Sequence, residues 1–136
     1  MADLAPVVGD VFATTVDSIL EMIVVGESVV DGDLLYFDAT EDEWMKCDCT
    51  NSAKIDVERI ATSSGGNGEA IQAALPGSLL NLGVAVAKGK LYVMSVNGKI
   101  APVDDVTTGD IVCVVGIGET TTELRFEPWI TEVVSA

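Results

Sequence analysis

Leu91-Tyr92-Val93-Met94-Ser95-Val96-Asn97-Gly98-Lys99-Ile100-Ala101-Pro102 is the stretch that decides the fold class. Two short apolar runs flank an Asn-Gly pair. That pair favours the left-handed conformations of a type I′ turn, whose twist suits antiparallel strands. Comparable runs recur along the chain at Val7–Thr15, Leu34–Asp38, Ile55–Ala61, Glu69–Leu75, Leu91–Ser95, Ile111–Ile117 and Thr121–Glu127. Gly, Asp and Asn separate them at a spacing expected for a sandwich or barrel. Only Ser18–Val25 reads two ways. Ser18 and Glu21 have the spacing of a helical capping box, whereas the β-branched Ile23, Val24 and Val25 favour a strand. The pattern predicts a mainly β chain, either a small antiparallel β-barrel or a β-sandwich with an extended N-terminal arm. Residues 1–16 read as that arm or a first strand, able to dock on a partner. Residues 17–128 read as a single β domain and 129–136 as a C-terminal tail.

The chain has 136 residues, a length that suits one domain. Its 22 acidic and 7 basic residues give a net charge of −15, yet 49% of residues are hydrophobic. The mean hydropathy is +0.41, which an acidic disordered tail would not show. A folded core under an acidic surface follows. Such a surface repels phosphate backbones and anionic membranes, so neither nucleic acid nor membrane is an expected partner. The charge is uneven: residues 1–58 hold 14 acids and 2 bases, and residues 59–136 hold 8 and 5. No linker divides these halves. The opening MADLAPVV has neither a basic n-region nor an apolar h-region, so export by a signal peptide is not expected. The uncharged stretch 70–87 has a charged Glu69 at its border and is broken by Gln72, Pro76, Gly77, Asn81 and Gly83, unlike a membrane span.

Histidine is absent, which removes the commonest general base and metal ligand. Cys47 and Cys49 lie two apart after Trp44-Met45-Lys46, so both thiols face one side of a strand. With Cys113 as the third thiol, one chain cannot complete a closed structural zinc site. The cysteines therefore read as structural, and no metal or cofactor is expected. Asp31, Asp33, Glu41, Asp42 and Glu43 crowd one hairpin and Asp104-Asp105 precede another. They lack the EF-hand spacing and read as solvated turns. Ser64-Gly65-Gly66-Asn67-Gly68-Glu69 has no Lys-Ser/Thr to make a phosphate loop and reads as a hairpin loop. Gly116-x-Gly118 reads as a turn or bulge.

An internal echo runs through Val30-Asp31-Gly32-Asp33-Leu34-Leu35-Tyr36 and Ala87-Lys88-Gly89-Lys90-Leu91-Tyr92, with a third Gly-Asp step at Thr108-Gly109-Asp110. Each is a glycine turn that delivers the chain into a strand. The ends are apolar, with Leu4, Pro6, Val7, Val8, Val11, Phe12 and Val16 at one and Pro128-Trp129-Ile130-Thr131-Glu132-Val133-Val134 at the other. The ends of small domains usually fray. Apolar ends are therefore either the first and last strands or surfaces that dock on a neighbour. Leu4, Pro6, Val7, Val8, Val11, Phe12, Trp129 and Ile130 are the candidate interface residues.

Gly68-Glu69-Ala70-Ile71, Leu82-Gly83-Val84-Ala85-Val86, Gly89-Lys90-Leu91-Tyr92-Val93 and Asn97-Gly98-Lys99-Ile100-Ala101-Pro102 follow one another, then Thr108-Gly109-Asp110 and the closing run 114–124. In that order they make the stretch from Ile55 to Glu127 resemble the small β-barrel decoration (cement) proteins of tailed-bacteriophage capsids. Leu34–Asp38 with Trp44-Met45-Lys46 reads as a first copy of the same hairpin. The resemblance implies a non-enzymatic virion protein, made in the host cytoplasm and seated as a homotrimer on the outer capsid surface. There it would bridge major capsid proteins and stabilise the shell, with residues 2–15 as a clamp. The alternative is a virion adhesion or carbohydrate-binding β module in a head fibre or tail, with Trp44, Trp129, Tyr36 and Tyr92 as stacking platforms. If the N-terminal arm serves assembly alone, deleting residues 1–12 leaves a folded protein that assembles poorly, measured by circular dichroism beside light scattering.

Overall fold

The computed structural model describes residues 3–6, 11–13 and 18–135, the side chain of Glu132 excepted. Its strands are β1 (Phe12–Ala13), β2 (Leu20–Val24), β3 (Leu34–Asp38), β4 (Glu43–Lys46), β5 (Arg59–Ala61), β6 (Ala70–Ala74), β7 (Leu79–Asn81), β8 (Leu91–Met94), β9 (Ile100–Pro102), β10 (Ile111–Gly118) and β11 (Glu123–Val134). Two single-turn 3-10 helices lie at Ser52–Lys54 and Val103–Asp105. The strands form two antiparallel sheets, six-stranded in the order β1-β7-β11-β10-β8-β9 and five-stranded in the order β2-β6-β5-β3-β4. The chain is mainly β and sandwich-like, the second of the two architectures the sequence allowed.

The predicted hairpin is present. Asn97 (φ 52°) and Gly98 (φ 76°) turn β8 into β9. The glycine echo has a common geometry as well. Gly32, Gly89 and Gly109 all have positive φ. The residue after each donates its N–H three residues back, from Asp33 to Val30, Lys90 to Ala87 and Asp110 to Thr107, each at 3.1 Å. Ser18–Val25 resolves as strand β2 rather than helix, laddered to β6 over Leu20–Ala74 through Val24–Ala70. The predicted run Ile55–Ala61 is strand only from Arg59. Its first half is a loop, with the Val57 N–H folded back on the Ile55 carbonyl and both side chains in the core.

The main core lies between the sheets. Leu34, Tyr36, Ile60 and Ala74 of the five-stranded sheet face Leu80, Tyr92, Met94, Ile100, Cys113, Val115, Leu124 and Phe126 of the six-stranded one. A smaller core of Ile23, Val25, Val29, Leu35, Ile71 and Ala73 fills the other face of the five-stranded sheet, which curls around it. A single parallel bridge from Val25 to Trp44 draws the two edges of that sheet together. Arg59 lies 4.9 Å over the Trp44 ring and its Nε donates to Glu21 at 2.6 Å. Phe37 meets Trp44 edge-on at 5.4 Å. A cation stacked on an aromatic face and tied to a carboxylate closes this smaller core without leaving a charge unpaired.

The N-terminal residues belong to the fold. The Leu4 N–H donates to the Ile100 carbonyl at 2.7 Å, beside β9. Pro6 covers Gly32, where an added Cβ would lie 2.7 Å from its ring. Val11 is 3% exposed within the main core. At the far end of the strand order, Phe12 pairs with Asn81 of β7. Deleting residues 1–12 therefore removes core side chains, and stability falls along with any loss of assembly.

Two acids expected in solvated turns, Asp31 and Asp33, are buried for a local reason, and so is Asp110. Asp33 accepts the Val30 N–H at 3.0 Å and Lys99 Nζ at 2.8 Å. Asp31 accepts the Ser64 hydroxyl at 2.7 Å. Asp110 accepts both the N–H and the hydroxyl of Thr107. Burial works to raise the Asp110 pKa, but the Thr107 bonds and the Cys49 thiol outweigh it and hold the carboxyl below its usual range. Asp48 is also held low: burial opposes the shift, and the Thr50 hydroxyl and N–H prevail. Burial pushes the Cys49 thiol up to about 12 and the Cys47 thiol higher still, with neighbouring acids and Cys113 adding to it. The signs define two pH limits. A carboxyl with a depressed folded pKa contributes stability above its unfolded value of about 4 and loses it as pH falls. A thiol with a raised folded pKa contributes below its unfolded value of about 8.5 and loses it as pH rises towards 12. Urea midpoints measured across pH should be flat between about 5 and 8, falling below about 4 and above about 8.5. Cys49→Ala should reduce the alkaline fall.

Candidate interaction surface

The outer face of the six-stranded sheet is built around an irregularity in β10. Val114 pairs with Val93 and Gly116 with Tyr92, so β10 carries one extra residue against β8 at this step. The same step faces an excess residue on β11, where Val114 pairs with Trp129 and Gly116 with Phe126. Pro128 lies within this excess, a place where a strand tolerates a missing N–H. An added Cβ on Gly116 would sit 1.9 Å from the Arg125 carbonyl oxygen, so glycine is what lets the strands close here. Such a bulge changes which way the following residues point. Cys113 and Val115 face the core, whereas Ile117 lies outside with Leu91.

The result is an apolar groove of about 230 Å³ lined by Leu91, Val114, Gly116, Ile117, Trp129 and the carboxylate-bearing Glu127. Trp129 is 71% exposed although it sits in the middle of a strand. Val133 and Val134 continue the exposed apolar run towards the end of β11. Beyond Phe126, no strand among the described residues pairs with the other edge of β11, since β7 reaches only Glu123–Arg125. Glu127–Val134 therefore presents both an apolar face and an open backbone edge. Monomeric proteins seldom expose contiguous patches of this kind except where they bind.

The candidate interface residues divide into two groups. Leu4, Val11 and Ile130 pack on the main core, and Pro6 covers the Gly32 turn. Phe12 is half-exposed beside a second groove formed with Asn81, Gly83, Val84, Ala85 and Thr122. Trp129 is the most exposed of those described. Val7 and Val8 lie outside the described residues. Residues 129–134 continue β11 without a break. Among the aromatic residues weighed as stacking platforms, Tyr92 is buried with its hydroxyl accepting the Ala87 N–H. Tyr36 is buried and Trp44 is capped by Arg59, so Trp129 alone presents an open ring. Cys47, Cys49 and Cys113 are reduced and fully buried. Among the described residues no group of three or more Cys, Asp or Glu is placed to hold a metal ion, and no helix is long and apolar enough to cross a membrane.

Sequence reading missed a second apolar surface, on β2. Leu20, Met22 and Val24 point outward and are exposed, with Ile19 beside them. The signal was present in the run Leu20-Glu21-Met22-Ile23-Val24, where both alternating sets contain apolar residues. The competing helical reading hid that alternation.

No family model, curated protein or solved structure matches this chain.

Trp129 is exposed, whereas Phe126, three residues earlier in the same strand, fills the core. Trp129→Ala should change unfolding free energy by no more than about 0.5 kcal/mol. Phe126→Ala, which empties a fully buried site, should cost about 3–5 kcal/mol. Urea denaturation of both variants checks the contrast.

Proposed function

We propose that this chain is a capsid decoration protein, which docks on the outer surface of a bacteriophage head and stabilises the shell by bridging neighbouring major capsid proteins. It acts as a homotrimer, without enzymatic activity, and its site of action is the virion exterior. The observation that carries the reading is Trp129, 71% exposed on a rigid sheet beside the apolar groove of Leu91, Val114 and Ile117. An exposed aromatic anchor with an apolar surround and a polar rim is the arrangement found at interface hot spots. The resemblance of residues 55–127 to decoration proteins supplies the particular partner. The net charge of −15 supports a place away from packaged nucleic acid.

A second reading is favoured by the same residue. An open tryptophan ring on a β-sheet suits stacking on a sugar, so a virion adhesion or carbohydrate-binding module is the alternative. Co-sedimentation with expanded heads of the virus that encodes the chain distinguishes the two. A decoration protein binds saturably, and Trp129→Ala weakens binding about tenfold or more. Light scattering should give a mass three times the 14.2 kDa of one chain. Absence of head binding, together with signal on a glycan array lost in Trp129→Ala, would replace the first reading with the second.

A further inference from the structure

We propose that the outer face of β2 and β6 is the surface through which copies of this chain meet. The five-stranded sheet has one face that is core wherever the other sheet covers it, at Leu34, Tyr36, Ile60 and Ala74. That face does not end where the cover ends. It runs on through the pairs Leu20–Ala74, Met22–Gln72 and Val24–Ala70. Leu20, Met22 and Val24 are 40%, 65% and 45% exposed, and the adjoining Ile19 is 55% exposed. On the reverse face of the same strand, Ile23 is buried in the smaller core. A strand apolar on both faces is the pattern of one covered on both faces, and here only one cover belongs to the chain.

Charge identifies the missing cover. β2 lies within residues 1–58, where 14 acids face 2 bases. Yet all six positions of the three outer pairs are uncharged. The acid inside the strand, Glu21, takes the opposite face and is tied to Arg59 at 2.6 Å. A basic partner would be met by carboxylates, and none projects from these pairs. Copies that each carry −15 repel one another wherever their acids face. An uncharged apolar patch is where that repulsion is least and apolar burial greatest. Among the described residues β2 is also an edge strand, met beyond β6 only by the Val25–Trp44 bridge and the Gly26 N–H bond to Trp44. A second copy thus finds Leu20–Ile23 open along its edge as well as its face. A stable interface buries about 800 Å² per partner, and Ile19, Leu20, Met22 and Val24 would form its apolar centre.

This assigns the self-contact of the oligomer proposed above to β2 and leaves the Trp129 face for the shell. It rests on that reading only for the number of copies. The test is light scattering of the full chain over a range of concentrations, for the wild type, Met22→Glu, Gln72→Glu and Trp129→Ala, with circular dichroism of each. The wild type should be oligomeric. Met22→Glu should raise the dissociation constant about tenfold or more, since it buries a carboxylate in each copy. Gln72→Glu retains the oxygen that accepts the Thr62 hydroxyl and adds one charge per copy. It should dissociate at low salt and reassociate at high salt as the new repulsion is screened. Trp129→Ala should remain assembled. Should Met22→Glu fail to fold, the salt response of Gln72→Glu decides. A wild type of 14.2 kDa at every concentration, or an oligomer unchanged in the folded variants at every salt concentration, overturns the assignment. Head binding is scored separately: an oligomer broken by these variants in a protein that binds no head sustains this inference and retires decoration. Head binding with an unaltered oligomer does the reverse.

Discussion

The two sheets are joined by backbone hydrogen bonds at one corner, and the rest of the structure depends on that join. The Cys47 N–H donates to Leu34 of the five-stranded sheet, while its carbonyl accepts from Gly98 of the β8–β9 turn at 2.6 Å. Two residues on, the Cys49 N–H donates to Ser95 and its carbonyl accepts from Ile111. Gly98 completes the circuit by accepting the Leu34 N–H at 2.8 Å. Residues 47–49 therefore strap one sheet to the other, a task that sandwiches usually leave to side-chain packing. Small apolar side chains are needed at 47 and 49, which are fully buried in the main core, while Asp48 between them is half-buried. Cysteine meets that demand at 47 and 49, and the third buried thiol, Cys113, lies on β10 in the same core. The Lys99–Asp33 ion pair fastens the same corner, with its carboxylate only 2% exposed. Losing Lys99 would leave the Asp33 carboxylate buried without its counter-charge.

That corner also explains what the sequence disclosed and what it withheld. Asn97-Gly98 was legible because a type I′ turn has a narrow chemistry. The turns at Gly32, Gly89 and Gly109 were legible because a positive φ before a strand favours glycine. The strap was not legible, since nothing in Cys47-Asp48-Cys49 says that its hydrogen bonds go to two different sheets. The acids misled for a related reason. Aspartate in a turn is compatible with solvent, but Asp33 reaches back to the N–H of the residue three before it and is then covered, as Asp110 does in its own turn. β7 escaped notice because three residues, Leu79–Asn81, carry no detectable alternation. Of the surface, Trp129 was visible as an apolar residue near an end. Its separation from Ile130, one outside and one on the core, is a matter of strand parity and required the register.

Most of the basic residues are spent internally. Lys46, Arg59, Lys90, Lys99 and Arg125 each pair with an acid of the same chain. Surface pairs of this kind contribute little to stability, and Lys99–Asp33 differs because its carboxylate is buried. Their larger effect is on what remains. With five of the 7 bases engaged, the net field of the protein is that of its unpaired acids, and it repels a like molecule that comes within the ~8–10 Å screening length.

Assembly of so acidic a chain is therefore decided by where the charge is not. A charged surface with scattered apolar residues would be merely soluble, and an apolar surface without charge would aggregate in many orientations. Two of the apolar faces are built by different means. On β10 and β11 a bulge that only glycine permits turns Ile117 outward to join Leu91 and Trp129. On β2 the core face of the five-stranded sheet simply outruns its cover. The first retains a carboxylate, Glu127, on its rim, whereas the outer pairs of the second have none. A partner bearing positive charge gains from the first face and nothing from the second, while a like-charged copy is admitted most readily by the second. The same excess of acid that repels like copies elsewhere thus sets the two faces apart in the charge of the surface each would accept.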